Sequence, residues 1–260
     1  MNQRKYILML CCVPVVFTAG DASAQEIENK NNALADTQKS QDNPCMHADA
    51  LIRKGQTAEA KALLEQFIRT LPSDWKPLYE KNGKDMIICW NSQEFIAYAQ
   101  YRGKTDKSKD AIWPTAPSYS QAFYLLGFIA AENKDFSSAI PYFDKALSLE
   151  PDHPTIWCEK AFVVRQMGHN EEAYQLYLKA LEIRPWATDH QRAVALRGAG
   201  FTLTELGRLA EAETLYERSL DLEPGNNVAL NELSYIRHRK RGGAAGTTEM
   251  IPIGTNATAK

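Results

Sequence analysis

Long apolar runs, catalytic signatures and surplus charge are all missing from this chain, and each absence removes a class of function. One apolar stretch stands out, Tyr6 to Ala19, but Pro14 and Thr18 interrupt it. It falls short of the ~20 apolar residues that carry a helix through a bilayer. There is no G-x-S-x-G, no H-E-x-x-H and no C-x-x-C, so the patterns of serine hydrolases, zinc peptidases and dithiol redox proteins are not written here. Gly103-Lys104-Thr105 ends like a phosphate loop, yet Tyr98 stands where that loop needs its earlier glycine. The formal charge is only −2, which argues against nucleic acid as a default partner.

What the first residues do contain is an address. Arg4 and Lys5 precede the apolar run, and Ala22-Ser23-Ala24 offers the small-x-small pattern that a signal peptidase cuts. The leader is therefore read as 1–24, with Gln25 as the new N-terminus, and the protein is expected to be periplasmic or secreted. Bulky Leu10 before Cys11 is a poor match for a lipid-attachment site. Losing Arg4, Lys5 and Asp21 shifts the charge from −2 to −3. Of five cysteines, Cys45, Cys89 and Cys158 remain. An oxidising compartment favours one bridge and one free thiol. The spacing does not choose the pair, but Cys45–Cys89 is the expected one, because it would staple together the two segments least able to hold themselves.

Residues 25–43 are polar with almost nothing to bury, and 242–260 are Gly-, Ala- and Thr-rich; both are expected to be disordered. Between them the text repeats. SQAFYLLGFIAAENKDFSSAIPYFDKALSLEP starts at Ser120, PTIWCEKAFVVRQMGHNEEAYQLYLKALEIRP at Pro154, and AVALRGAGFTLTELGRLAEAETLYERSLDLEP at Ala193. Gly127, Ala161 and Gly200 are small where helices must cross closely, as are Ala139, Ala173 and Ala212. Phe143, Tyr177 and Tyr216 supply bulk between helices. Gly168 and Gly207 suit a left-handed turn that ends a helix, and Pro151, Pro185 and Pro224 cannot donate the next helical hydrogen bond.

Pro151 and Pro185 lie 34 residues apart, and these lines resemble the tetratricopeptide repeat family, whose period that is. Lys160, Val164 and Ser219 depart from the family's preferred leucine, tyrosine and alanine. The resemblance implies an all-α fold, a right-handed helical solenoid. Its repeats are 120–153, 154–187 and 193–226 within the segment 119–241, which closes on a capping helix from Asn227 to Arg241. Ala48, Gly55, Ala60 and Pro72 keep the same offsets, so 44–118 is read as a degenerate first repeat followed by an aromatic-rich, aperiodic insert. Within the insert, Lys81-Asn82-Gly83-Lys84 predicts a hairpin turn. Ser92 is the predicted cap of a helix through Tyr101, and Gly103 to Asp110 reads as a charged loop.

By the same resemblance the first helix of each repeat lines a concave groove. An aromatic recurs there: Phe128, Phe162, Phe201 and, in the cap, Tyr235. Four residues earlier come Tyr124, Cys158, Arg197 and Asn231, and three later Ala131, Arg165, Thr204 and His238. Residues three and four apart share a helix face. Tyr124, Phe128, Cys158, Phe162, Arg165, Arg197, Phe201, Asn231 and Tyr235 are thus the candidate binding surface. Phe128, Phe162 and Phe201 equally suit ordinary core between helices. Some family members grip a C-terminal carboxylate with Lys and Asn at these helices; here the places hold Tyr124, Phe128, Glu159, Val194 and Gly198, so that clamp is missing. Cys45-Met46-His47-Ala48-Asp49 has a metal-ligand look but lacks a second short-range cluster, and no metal or cofactor is expected. Arg237 to Arg241 is read as complementing a helix dipole. The expected function is a non-catalytic adaptor binding a peptide or protein. The alternatives are an enzyme or metal protein with its site in 73–119, and a scaffold that uses its outer face.

Overall fold

The computed structural model describes residues 43–105, 111–114 and 116–242. The expected leader, the tail beyond Gly242 and all of the expected tether except Asn43 lie outside those residues. Helices come in pairs: α1 Pro44–Arg53 with α2 Thr57–Ile68, α4 Tyr119–Glu132 with α5 Phe136–Leu149, α6 Pro154–Gln166 with α7 Asn170–Glu182, and α8 Asp189–Glu205 with α9 Leu209–Leu222. A last helix, α10 Asn227–Lys240, packs on α9. Each second helix also packs on the next first helix, and α4, α6, α8 and α10 touch in succession. The result is a helical solenoid.

Local chemistry sets the helix ends. The Asn43 side chain accepts from the backbone N–H of Cys45 and Met46, with Pro44 opening α1. Ser118 caps α4, Asp135 caps α5 and Asn226 caps α10, each accepting one backbone N–H three residues on. Thr188 and Gln191 form a reciprocal capping box on α8. Gly168 and Gly207 take the left-handed conformation at φ +89° and +77°. Lys134 takes it at φ 60° in repeat 120–153, where the sequence offers no glycine. Helices α5, α7 and α9 stop two or three residues before Pro151, Pro185 and Pro224.

The core is a row of small residues facing large ones. A β-carbon on Gly127 would lie 2.7 Å from the Phe143 ring, and one on Gly200 would lie 3.1 Å from Tyr216. Phe143 and Tyr216 are completely buried, each contributing about 2–3 kcal/mol by removal from water. Ala139, Ala161, Ala173 and Ala212 are fully buried as well.

The segment between α2 and α4 departs from the all-α expectation. Strands β1 Leu78–Lys81 and β2 Lys84–Ile87 pair antiparallel, and β3 Ala111–Ile112 joins β2 in parallel. Asn82 and Gly83 both have positive φ, the two-residue turn that matches strand twist. Helix α3 spans Ser92–Thr105, longer than predicted and into the stretch read as a loop. Its cap is Asn91, not Ser92: the Asn91 Oδ1 accepts from the Glu94 N–H at 3.0 Å, and the Glu94 carboxylate accepts from the Trp90 N–H at 3.0 Å. Ile87, Cys89 and Tyr98 form a small core there, covered by Phe95, Trp113 and Trp186.

Candidate binding groove

Helices α4, α6, α8 and α10 carry all nine candidate residues, and the structure sorts them by burial. Phe128 is 3% exposed and Cys158 4%, so these two belong to the interior and the expected open ladder is interrupted there. The reason is crowding. Cys158 packs with Ala161, Tyr177 and Ala195, and Phe128 lies beside Tyr124, ring centres 6.4 Å apart. Tyr124, Phe162, Arg165, Arg197, Phe201, Asn231 and Tyr235 remain partly exposed.

At the middle of the face Arg165 is sandwiched. Its guanidinium carbon lies 5.3 Å from the Phe162 ring centre and 4.4 Å from that of Phe201, within the range of cation–π attraction. Its Nη1 makes two long contacts to the Glu205 carboxylate, both 3.4 Å. The neighbouring Tyr177 phenol is pushed up by burial, while Arg165 pulls it back. Arg197 is held differently, by Glu223, which His190 and Asn226 also engage. Burial opposes the Glu223 charge, yet His190 and Arg197 hold its carboxyl below the usual range. Tyr235 accepts a hydrogen bond from Arg239 at 2.9 Å. Arg237 and Lys240 bridge to Glu213 on α9, so the basic run staples two helices besides sitting at a helix end.

One carboxylate on this side is out of balance. Glu159 precedes Phe162 by one turn, and its Oε2 is buried without a hydrogen-bond partner. Burial first, and then the charge of Glu132, raise its pKa to about 7.

A second polar cluster, which the sequence reading missed, ties the insert to the repeats. Trp90 stacks on His153, ring centres 3.8 Å apart, and packs on Tyr124 at 4.8 Å. His153 Nε2 lies 3.1 Å from Glu94 Oε1. Gln191 donates to the same Glu94 oxygen at 2.7 Å. Glu150 accepts from Ser120, from Trp90 at 3.3 Å and from Arg184 at 2.7 Å. Arg184 also reaches Asp152 and lies over the Trp186 ring. Burial opposes the Glu94 charge, but His153, Arg184 and the Trp90 amide hold its carboxyl below the usual range. His153, Glu94, Glu150 and Arg184 are all buried, which makes this cluster a structural knot.

The expected Cys45–Cys89 bridge is not formed. Neither thiol, nor that of Cys158, is part of a disulfide. Cys45 donates to the Ser118 carbonyl at 3.2 Å, while Cys89 packs inside the insert against Ile87 and Tyr98. Burial raises the Cys45 thiol to about 12. Cys89 is pushed up too, by burial and then by Glu94 and Glu150. Cys45 is buried but His47 exposed, so the metal-like sequence cluster does not converge. Among the described residues, no group of three or more His, Cys, Asp or Glu is placed to hold a metal ion, and no helix is long and apolar enough to cross a membrane.

Paired helices, small-to-large packing and a face built from every first helix define a helical-repeat solenoid. Three family profiles, each described as tetratricopeptide repeat, match residues 46–74, 120–153 and 152–222, together about half of the chain. The chain belongs to the tetratricopeptide repeat family. It is similar to "Protein STIP1 homolog" of Dictyostelium discoideum, 31% identical over 113 residues, or 42% of this chain. It also resembles "Small glutamine-rich tetratricopeptide repeat-containing protein 2" of Mycosarcoma maydis, 28% identical over 99 residues, or 38% of this chain. The matches span 19% and 27% of those two relatives. Among solved structures the fold is similar to PilW, a type IV pilus biogenesis factor, with TM-score 0.53 and 19% identity over 76% of this chain and 69% of that one. It is likewise similar to Pseudomonas aeruginosa PilF, with TM-score 0.55 and 14% identity over 79% of this chain and 71% of that one.

Proposed function

We propose that this protein is an exported, periplasmic adaptor that holds a peptide or a partner's helix along the face made by α4, α6, α8 and α10. The observation that carries this reading is the Phe162–Arg165–Phe201 stack. Each repeat already draws its core bulk from Phe143, Tyr177 and Tyr216. A second set of partly exposed aromatics joined by a guanidinium therefore suits a ligand, since aromatic and arginine side chains dominate interface energetics. The reading is non-catalytic. The Glu94–His153 pair, which has the composition of an acid–base dyad, is sealed from solvent inside the knot. Export is supported by Arg4, Lys5, the Tyr6 to Ala19 run and Ala22-Ser23-Ala24.

The test is a pull-down from native envelope with wild type and with Phe162→Ala/Arg165→Ala. Loss of the captured partner by a variant that keeps its helical circular dichroism is the expected result. Equal capture by a well-folded variant moves the binding surface elsewhere. N-terminal sequencing of the mature protein should read from Gln25, and an intact Met1 in the cytosolic fraction would remove the export reading.

A further inference from the structure

Glu159, Phe162 and Arg165 follow one another at three-residue spacing on α6, so Phe162 neighbours both of the others, which flank it about 120° apart around the axis. The two ends of this triplet carry opposite charge and are unequally satisfied. At one end the Glu159 Oε2 is an acceptor, buried and without a hydrogen-bond partner. The cations nearest it on the helix are engaged: Lys160 goes to Asp144 at 2.6 Å and Arg165 to Glu205. At the other end the Arg165 side chain is only 10% exposed, and its Nε is a buried donor with no partner. A buried polar group left unmade costs more than an ordinary hydrogen bond returns. Glu159 is therefore poised for a cation that this chain does not itself supply, while Arg165, which already meets Glu205 and the Tyr177 phenol, keeps one buried donor unmet.

We propose that the groove takes an extended peptide segment carrying a basic side chain and, two or three residues away, an acidic one, the first meeting Glu159 and the second Arg165. The inference rests on the groove reading above and adds the partner's chemistry to it. Six residues of helix rise about 9 Å, and an extended chain advances about 3.3 Å per residue, which sets the two-to-three-residue spacing. Between the charges, Phe162 offers the apolar middle of the segment a surface. Glu132, which faces Glu159 electrostatically, adds negative potential at the basic end. Arg165 is pre-positioned by Phe162 and Phe201, so pairing a carboxylate with it immobilises little. The charge pattern is the reverse of a pure carboxylate clamp, with an acid at the Glu159 position.

Because Glu159 titrates near 7, a basic ligand should bind more tightly as the pH rises through that value and the carboxylate forms. A random twelve-residue phage-displayed library panned on the full chain supplies probes, and synthetic copies are measured by fluorescence anisotropy at about pH 6 and pH 8. Enriched peptides should share Lys or Arg with Asp or Glu two or three residues away. Replacing the peptide's basic residue with leucine should weaken binding at least tenfold or so. The near-isosteric Glu159→Gln should do the same and remove the difference between the two pH values. Enriched peptides without a common basic residue, or equal binding by Glu159→Gln, overturn the proposal and leave the groove reading standing. Peptides whose binding survives Phe162→Ala and Phe201→Ala, or a library that enriches nothing, sink both.

Discussion

The Tyr177 ring lies directly over the backbone of Gly198, so a methyl group built on that glycine would overlap the ring. Tyr177 belongs to α7 and Gly198 to α8, so this contact joins one repeat to the next. Tyr177 is buried and has little room to retreat. Gly198→Ala should therefore destabilise the solenoid by about 1–3 kcal/mol through overpacking, whereas Gly103→Ala, which meets nothing within 4 Å, should be neutral or mildly stabilising. Thermal melts of the two variants check this, and equal melting temperatures would show that α7 and α8 are looser than described.

Glu159 sets a pH dependence whose sign is fixed by its raised pKa. The folded state holds a proton up to about pH 7, whereas the unfolded chain releases it near the ordinary value of about 4.3. Folding thus favours the protonated form, and stability declines as pH climbs between those values. The full difference corresponds to roughly 4 kcal/mol. Glu159→Gln should be more stable than wild type at pH 8 and nearly equal to it at pH 4.5, by chemical denaturation at each pH. A constant difference across that range would assign the effect to packing.

Arg184 neutralises Glu150 inside the knot, and removing it alone strands a buried carboxylate. Arg184→Met should cost about 3–5 kcal/mol, with Glu150→Gln/Arg184→Met recovering much of the loss. Arg208→Ala, which breaks exposed contacts to Glu171 and Glu211 and uncovers the Tyr174 ring, should cost only about 1 kcal/mol. The comparison of these three melts is the measurement. A single Arg184 variant as mild as the surface one would mean the knot is hydrated.

The free thiols predict chemical silence. Cys45 and Cys89 are buried and held protonated, and the thiolate is the reactive form. A thiol reagent should label them only after denaturant is added, and peptide mapping without reductant should find no Cys45–Cys89 linkage. A linked peptide would refute the described packing of both segments.

The repeats were legible because their physics is local and periodic. Gly127, Ala161 and Gly200 read as crossing points, and two of them face the rings of Phe143 and Tyr216 as their spacing implied. The Asn82-Gly83 turn was legible from turn chemistry alone. The fate of Phe128 was not, since helical spacing cannot separate an inner face from the space between helices. The insert's docking was also hidden, because Trp90, Glu94 and His153 come from unrelated points of the chain. A faint trace did exist. Glu150, Arg184 and Glu223 each immediately precede a repeat-ending proline, an alternation of sign that becomes the Glu150–Arg184 pair in space. The cysteine pairing failed because compartment and chain entropy say which bond would help, not which side chains face each other.

The knot changes how the solenoid should come apart. In repeat arrays each unit ordinarily couples only to its neighbours, and ends fray first. Here Glu94 of α3 binds Gln191 of α8 and His153 before α6, while Glu150 after α5 binds Arg184 after α7. The Glu94–Gln191 link skips past nearest neighbours along the stack, and the Glu150–Arg184 pair locks together the two repeats it passes over. Everything from α3 to α8 should therefore open in one cooperative step, and amide exchange across α4, α6 and α7 should show a single shared opening free energy, with α10 exchanging ahead of it.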